Sequence, residues 1–155
     1  DGIKLGVLNL LGRVFMEPLE CPFRTARREV SNLRKLTKYI VVDFHGEATS
    51  EKIAIGWWLD GTVSSVVGTH THVQTADNRV LPGGTAYISD LGMTGPFDSI
   101  IGMKKENAMR KMISLLPSKF VVAENDIRIN GVFISIDKET GKARAIERIN
   151  EKVFY

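Results

Sequence analysis

The sequence predicts an α/β fold. Short apolar runs rich in β-branched residues alternate with stretches of helical periodicity through most of the chain, and two of those runs end in histidine-bearing segments. The elements follow in order. Residues 3–10 (Ile3-Lys4-Leu5-Gly6-Val7-Leu8-Asn9-Leu10) read as a strand. Across 21–38, Phe23, Ala26, Val30, Leu33 and Leu36 recur near helical spacing, and Pro22 suits the first helical position, where a missing N–H costs nothing. Residues 39–44 are almost continuously apolar, as in a strand buried on both faces. Thr49 or Ser50 is expected to cap a helix over 49–59 that turns Ile53, Ala54 and Trp57 inward, with Trp58 at a boundary and Asp60-Gly61 as the stop. Residues 63–68 give the next strand, and 85–89 another after Pro82-Gly83-Gly84. A helix is predicted over 103–116. The tail then changes character, with short strands at 119–123, 126–130, 132–137 and 143–149 divided by turns at Asn130-Gly131 and Glu139-Thr140-Gly141.

Composition narrows the function classes. At 155 residues and 43% hydrophobic, residues 1–155 support one ordinary core and demand no second domain. The formal charge of +3 comes from 21 basic residues set against 18 acidic ones, spread along the chain, so no nucleic-acid arm is indicated. No apolar run approaches the roughly 18–20 residues of a membrane span. The single cysteine, Cys21, cannot form an intramolecular disulfide, which fits a reducing cytoplasm, and beside Pro22 it reads as a helix-entry residue rather than a nucleophile. The start Asp1-Gly2-Ile3-Lys4 has no Met and no signal-like stretch and reads as a chain cut from something longer.

Candidate chemistry lies in the three histidines. His45 stands in Val41-Val42-Asp43-Phe44-His45-Gly46-Glu47, and His70 and His72 stand in Val66-Val67-Gly68-Thr69-His70-Thr71-His72. Each segment leaves the end of an apolar strand, where α/β proteins usually place their active-site groups. On an extended backbone residues i and i+2 share a face, so His70 and His72 are expected to converge on one small volume, a spacing that suits a metal. Neutral imidazole accepts zinc, iron, manganese, copper and nickel alike, so the residues do not choose the ion. Carboxylates in the same loops are Asp43, Glu47, Asp77 and Asp90. Asp43 shares the face of His45 and is expected to orient it, whereas Asp90 reads as the cap of a turn. Thr69 and Thr71 are either donors to a bound anion or strand-end threonines that satisfy local groups.

Three blocks in this order, Asp43-Phe44-His45-Gly46-Glu47-Ala48-Thr49-Ser50-Glu51-Lys52, Val67-Gly68-Thr69-His70-Thr71-His72-Val73-Gln74-Thr75-Ala76-Asp77 and Asp90-Leu91-Gly92-Met93-Thr94-Gly95-Pro96, resemble the calcineurin-like metallophosphoesterases. More narrowly, they resemble the bacterial YmdB-type cyclic-nucleotide phosphodiesterases. The resemblance runs from about Ile3 to the end. It implies a two-sheet α/β sandwich with flanking helices, of which this chain is the C-terminal portion with the N-terminal half missing. It implies that His45 and His70 bind one metal of a dinuclear pair and His72 the other, with Asp43, Glu47, Thr69 and Thr71 as supports. The ions it implies are two divalent cations, iron or manganese ahead of zinc, and the substrates are 2′,3′- or 3′,5′-cyclic nucleotides or other phosphodiesters. Family members also carry Gly-Asp, Glu-Asn and Asn-His motifs that supply the remaining ligands and the catalytic acid. This chain lacks the N-terminal half that carries them: no Gly-Asn-His sequence occurs here and no fourth histidine exists, so no catalytic residue is assignable in this chain. A half-site, inactive alone and associating with a missing N-terminal half or with copies of itself through an uncovered sheet face or edge, is the expectation.

Two other classes compete. One is a non-catalytic metal-binding or self-associating module. The other is a weak RNA binder using Arg24, Arg27, Arg28, Arg34, Lys35 and Lys38, although a charged helix face with no aromatic surface is more often solvated. The loop Gly92-Met93-Thr94-Gly95-Pro96 reads equally as a mobile substrate loop or a structural crossover.

Overall fold

Val66 and Val67 are neighbours in the chain yet enter different cores, and this two-sidedness organises the fold. The computed structural model describes residues 2–154, leaving Asp1 and Tyr155 outside the described residues. Its elements are β1 (Gly6–Leu11), α1 (Pro22–Leu33), β2 (Ile40–His45), α2 (Thr49–Leu59), β3 (Ser65–Thr69), β4 (Arg79–Val80), β5 (Ala86–Ile88), β6 (Gly95–Pro96), α3 (Lys105–Ser114), β7 (Ile127–Ile136) and β8 (Ala143–Lys152). One sheet has the order β1-β2-β3-β5-β4, parallel except for β4, and the other is antiparallel in the order β6-β7-β8.

The first core lies between the larger sheet and its helices, where Leu10, Val42, Phe44, Val66 and Tyr87 meet Ala26, Val30, Ile55 and Leu59. The second lies between the sheets, where Val67, Ala86 and Ile88 meet Ala143 and Ile146. Alternation along β5 puts Tyr87 in one core and its neighbours in the other, as a strand covered on both faces requires. The two-sheet α/β sandwich is therefore as the resemblance implied. The smaller sheet covers the β4–β5 side and leaves Val7 on β1 65% exposed; among the described residues no strand pairs with the outer edge of β1. No described helix is long and apolar enough to cross a membrane.

Several elements differ from the sequence reading. The first helix stops at Leu33, because residues 34–37 tighten into turns through Lys35 N to Asn32 O at 3.2 Å and Leu36 N to Leu33 O at 2.9 Å, and Leu36 is exposed. The cap of α2 is Ala48, with no side-chain bond, instead of Thr49 or Ser50. Its buried face is Glu51, Lys52, Ile55, Gly56 and Leu59, so Ala54 and Trp57 turn outward and only Ile53 of the expected trio packs against the core. Two charged residues hold that face because each finds hydrogen-bond partners, Glu51 in the loop after β1 and Lys52 in the buried Asp90, and Gly56 seats directly under the Tyr87 ring. In the tail, Asn130-Gly131 makes no turn. It lies inside β7, paired to Asn150 and Ile149, and the hairpin closes only at 137–142, around the expected Glu139-Thr140-Gly141 turn. Residues 119–123 contribute one isolated bridge, Val122 to Met103. The two-residue strands β4 and β6 are too short to leave a periodic pattern.

Candidate metal centre

Parallel strands in register present facing residues on the same side of the sheet. Asn9 of β1, Asp43 of β2 and Val67 of β3 align, as do Leu11, His45 and Thr69. From this alignment follows a hydrogen-bonded chain across three strands. Asn9 Nδ2 donates to Asp43 Oδ2 at 2.7 Å, and Thr69 Oγ1 donates to Asp43 Oδ1 at 2.9 Å. With its one proton committed, the Thr69 hydroxyl accepts from His45 Nδ1 at 3.0 Å. His45 is thereby held as the Nδ1–H tautomer with its Nε2 lone pair free. Asp43 reaches His45 through Thr69 and not by the direct contact expected.

The lone pair of His45 meets His70. His45 Nε2 and His70 Nδ1 are 3.0 Å apart, the rings are edge-on with centroids at 4.8 Å, and His70 Nε2 lies 2.8 Å from Glu47 Oε2. Two cis ligands at metal–nitrogen distances of about 2.1 Å present nitrogens roughly 3.0–3.4 Å apart, so this donor pair fits one cation. Glu47, expected as a support, receives the opposite nitrogen of His70.

His72 behaves differently. The strand ends at Thr69, and His70 and His72 both adopt positive φ, +116° and +67°. The backbone is not extended there, so the two do not share a face as their spacing suggested. The exposed His72 ring brings Nδ1 to 3.2 Å from the Ile101 carbonyl and lines a hollow with Val73, Met93, Phe97 and Ile100, whereas His70 lines another with Leu11, Phe15, Met16 and Pro18. Among the described residues no three His, Cys, Asp or Glu side chains are placed to share one ion. The chain's own donors thus fit part of a metal site.

The loop 70–72 is held from beneath by residues that sequence reasoning missed or undervalued. Asp90 caps the following turn, accepting from Gly92 N at 2.9 Å as expected. Its other oxygen accepts from Thr71 N at 2.9 Å, Thr71 Oγ1 at 2.8 Å and Lys52 Nζ at 2.8 Å. Lys52 and Asp90 side chains are each 2% exposed. Burial alone would push the Asp90 carboxyl upward, yet the Lys52 ammonium and the Thr71 and Gly92 bonds outweigh it and hold the group below the usual carboxylate range. Next to Lys52, Glu51 accepts the N–H groups of Arg13 and Val14, each at 3.2 Å, tying the loop after β1 to the same helix turn. The available signal was the i, i+3, i+4, i+7 placement of Lys52, Ile55, Gly56 and Leu59. Thr69 and Thr71 spend their hydroxyls on carboxylates, and Asp77 serves Thr75 Oγ1 and Ser89 N, away from the histidines.

The basic segment 24–38, helix α1 and the turns after it, shows intramolecular partners for several of its charges: Arg28 with Glu20 and Glu29, Arg34 with the Thr62 carbonyl, Lys35 with Asn32 and Lys38 with the Glu139 carbonyl. Trp58 donates to the Phe23 carbonyl and meets the Phe23 ring edge-on, while Trp57 is half exposed beneath Arg79.

Comparison with known proteins agrees with this architecture. The sequence profile of the family described as YmdB-like protein matches residues 1–149. A 2′,3′-cyclic-nucleotide 2′-phosphodiesterase of Bacillus subtilis is 55% identical over 149 residues, covering 96% of this chain and 56% of that protein. Crystal structures of a hypothetical protein from Thermus thermophilus and of a novel phosphatase from Mycoplasma pneumoniae superpose with TM-scores of 0.88 and 0.84, both at 38% identity. Each superposition covers 94% of this chain, with 56% of the first structure and 52% of the second. The chain spans about half the length of the relatives it matches.

Proposed function

The chain belongs to the YmdB-like family, and on that premise we propose that it supplies the histidine half of a dinuclear metal centre in a phosphodiesterase acting on cyclic nucleotides. The observation that carries this reading is the pair of imidazole nitrogens 3.0 Å apart, one of them fixed in tautomer by Thr69 and Asp43. His45 and His70 would hold one ion and His72 the other. Iron or manganese is the expected metal, with zinc as a third option. When bound, such cations polarise phosphate oxygens and make water nucleophilic near neutral pH.

The residues of this chain have narrower tasks. Thr69 and Asp43 orient His45, Glu47 accepts from His70 Nε2, and Asp90 fixes the turn between His70 and His72. No residue here is assigned as the general acid, and further ligands must come from outside the described residues, so the isolated chain is expected to be inactive. The name of the Bacillus subtilis relative supports 2′,3′-cyclic nucleotides ahead of 3′,5′ ones. The rest of the protein, or a second copy of this chain, is the partner proposed for the open β1 face. A non-catalytic metal-binding or self-associating role is the second reading for the chain alone, favoured by the lack of a third ligand among the described residues.

The test is His70→Ala in the full-length protein. Loss of metal-dependent hydrolysis of a 2′,3′-cyclic nucleotide, together with loss of bound metal, is expected. Unchanged turnover would remove His70 from the site.

A further inference from the structure

Positive φ is unfavourable for a non-glycine residue and persists only where the surroundings over-determine it. His70 and His72 both carry that strain, and Thr71 between them is the point at which the loop is pinned. The pin is a buried ion pair. Asp90 receives Thr71 through both backbone N–H and hydroxyl, and Lys52 neutralises Asp90 from helix α2. A buried pair of this kind gains little stability over apolar residues of similar volume, because desolvation offsets the attraction. Its value here is directional, since the carboxylate fixes a turn that an apolar contact could not orient. Gly68 makes the arrangement compact: a Cβ there would lie 1.8 Å from the Ser89 carbonyl, so the residue before Asp90 presses directly on the strand that leads into His70.

Resting on the metal-centre reading above, we propose that Lys52, Asp90 and Thr71 are positioning residues that set the two histidines in their metal-binding conformation from beneath, without touching the ion. Partners that orient metal ligands commonly change metal affinity by about 10–100-fold when removed.

The test uses the full-length protein, with manganese(II) as the probe. Manganese affinity and the electron paramagnetic resonance spectrum of the bound ion are compared with thermal melting in Thr71→Val, Thr71→Ser, Asp90→Asn, Lys52→Met and His70→Ala. Thr71→Val, which deletes only the hydroxyl link, is expected to weaken manganese binding about tenfold or more and to alter the spectrum while melting near the parent. Thr71→Ser is expected to restore both. Asp90→Asn and Lys52→Met lower melting as well, and Thr71→Val remains decisive where they fail to fold. Parent-like affinity and spectrum in Thr71→Val, with manganese lost in His70→Ala, would overturn the positioning role and leave the metal centre standing. Parent-like affinity in His70→Ala would overturn both.

Discussion

Replacing Gly68 with Ala tests the packing on which the candidate site depends. Gly68 lies in β3, with its backbone in a region any residue adopts, so the substitution by itself would stabilise by about 0.4–1 kcal/mol through the unfolded chain. The structure opposes this. The new Cβ would sit 1.8 Å from Ser89 O and 2.6 Å from Ser89 C, and that gap must open to about 3 Å. A backbone carbonyl cannot rotate aside as a side chain would, so β3 and the segment after β5 must separate by more than an ångström. Bonds from Thr71 and Lys52 to Asp90, now 2.8–2.9 Å, then stretch past the roughly 3.6 Å at which a hydrogen bond ceases to count. Overpacking costs about 1–3 kcal/mol, and loosening a buried pair costs up to about 3–5 kcal/mol if one partner is lost entirely. The net expectation is a loss of about 2–5 kcal/mol, or very roughly 2–4 °C per kcal/mol in a protein of this size class. Urea and thermal unfolding of the full-length protein, followed by manganese titration, would measure both consequences. A Gly68→Ala variant that unfolds with the parent and keeps its metal affinity would show that the close approach does not control the site.

Gly56→Ala pits helix propensity, worth about 1 kcal/mol in its favour, against a Cβ placed 2.6 Å from the buried Tyr87 ring. Overpacking wins, and a loss of about 1 kcal/mol, read as a lowered urea midpoint at unchanged m, is expected; a raised midpoint would contradict it. Tyr87→Phe should go the other way. The Tyr87 hydroxyl is buried without a partner among the described residues, and burial pushes its phenol well above the ordinary range, so removing it is expected to stabilise by about 1 kcal/mol, whereas a comparable loss would reveal a hydrogen bond. Acid sensitivity follows from Asp90, whose folded carboxyl titrates below its unfolded value of about 3.9. Its contribution is present above that pH and is lost as the pH falls through the lower folded value. Urea midpoints taken from pH 7 to 3 should therefore drop below about pH 4 in the parent and less steeply in Asp90→Asn; equal slopes would remove Asp90 from the acid response.

The strand at 65–69 was legible because a parallel strand covered on both faces has to be apolar throughout, whereas 40–45, expected to be buried on both faces, buries only Ile40, Val42 and Phe44 in the helix-side core and was legible from its apolar run; the histidines could be placed at the exits of both. The inward face of α2 was not legible. Counting apolar residues assigns Trp57 to the core and Glu51 and Lys52 to water, but Glu51 and Lys52 become core residues once Arg13, Val14 and Asp90 supply partners from more than thirty residues away. Asn130-Gly131 misled for a related reason. As a dipeptide it favours a tight turn, yet β7 and β8 pair through it, and long-range pairing overrides local turn chemistry. The histidine spacing was informative about chemistry and misleading about geometry, since the i, i+2 rule holds only while the backbone stays extended.

Gln74 shows why that loop departs from the strand and yet stays ordered. Two residues beyond His72, its side-chain amide donates to the carbonyls of Leu91, Gly131 and Ile149 at 3.2, 3.0 and 3.1 Å, sharing two protons among three acceptors. Gly131 and Ile149 are register partners on β7 and β8, so one side chain ties the segment carrying the histidines to the second sheet, while Thr71 ties it to Asp90 beneath the first. Pinned at two points on opposite sides, residues 70–72 cannot relax into a continuing strand, and the positive φ of both histidines is the geometry left to them. The two anchors that hold the loop, Asp90 and the β7–β8 pair, thus both lie within this chain.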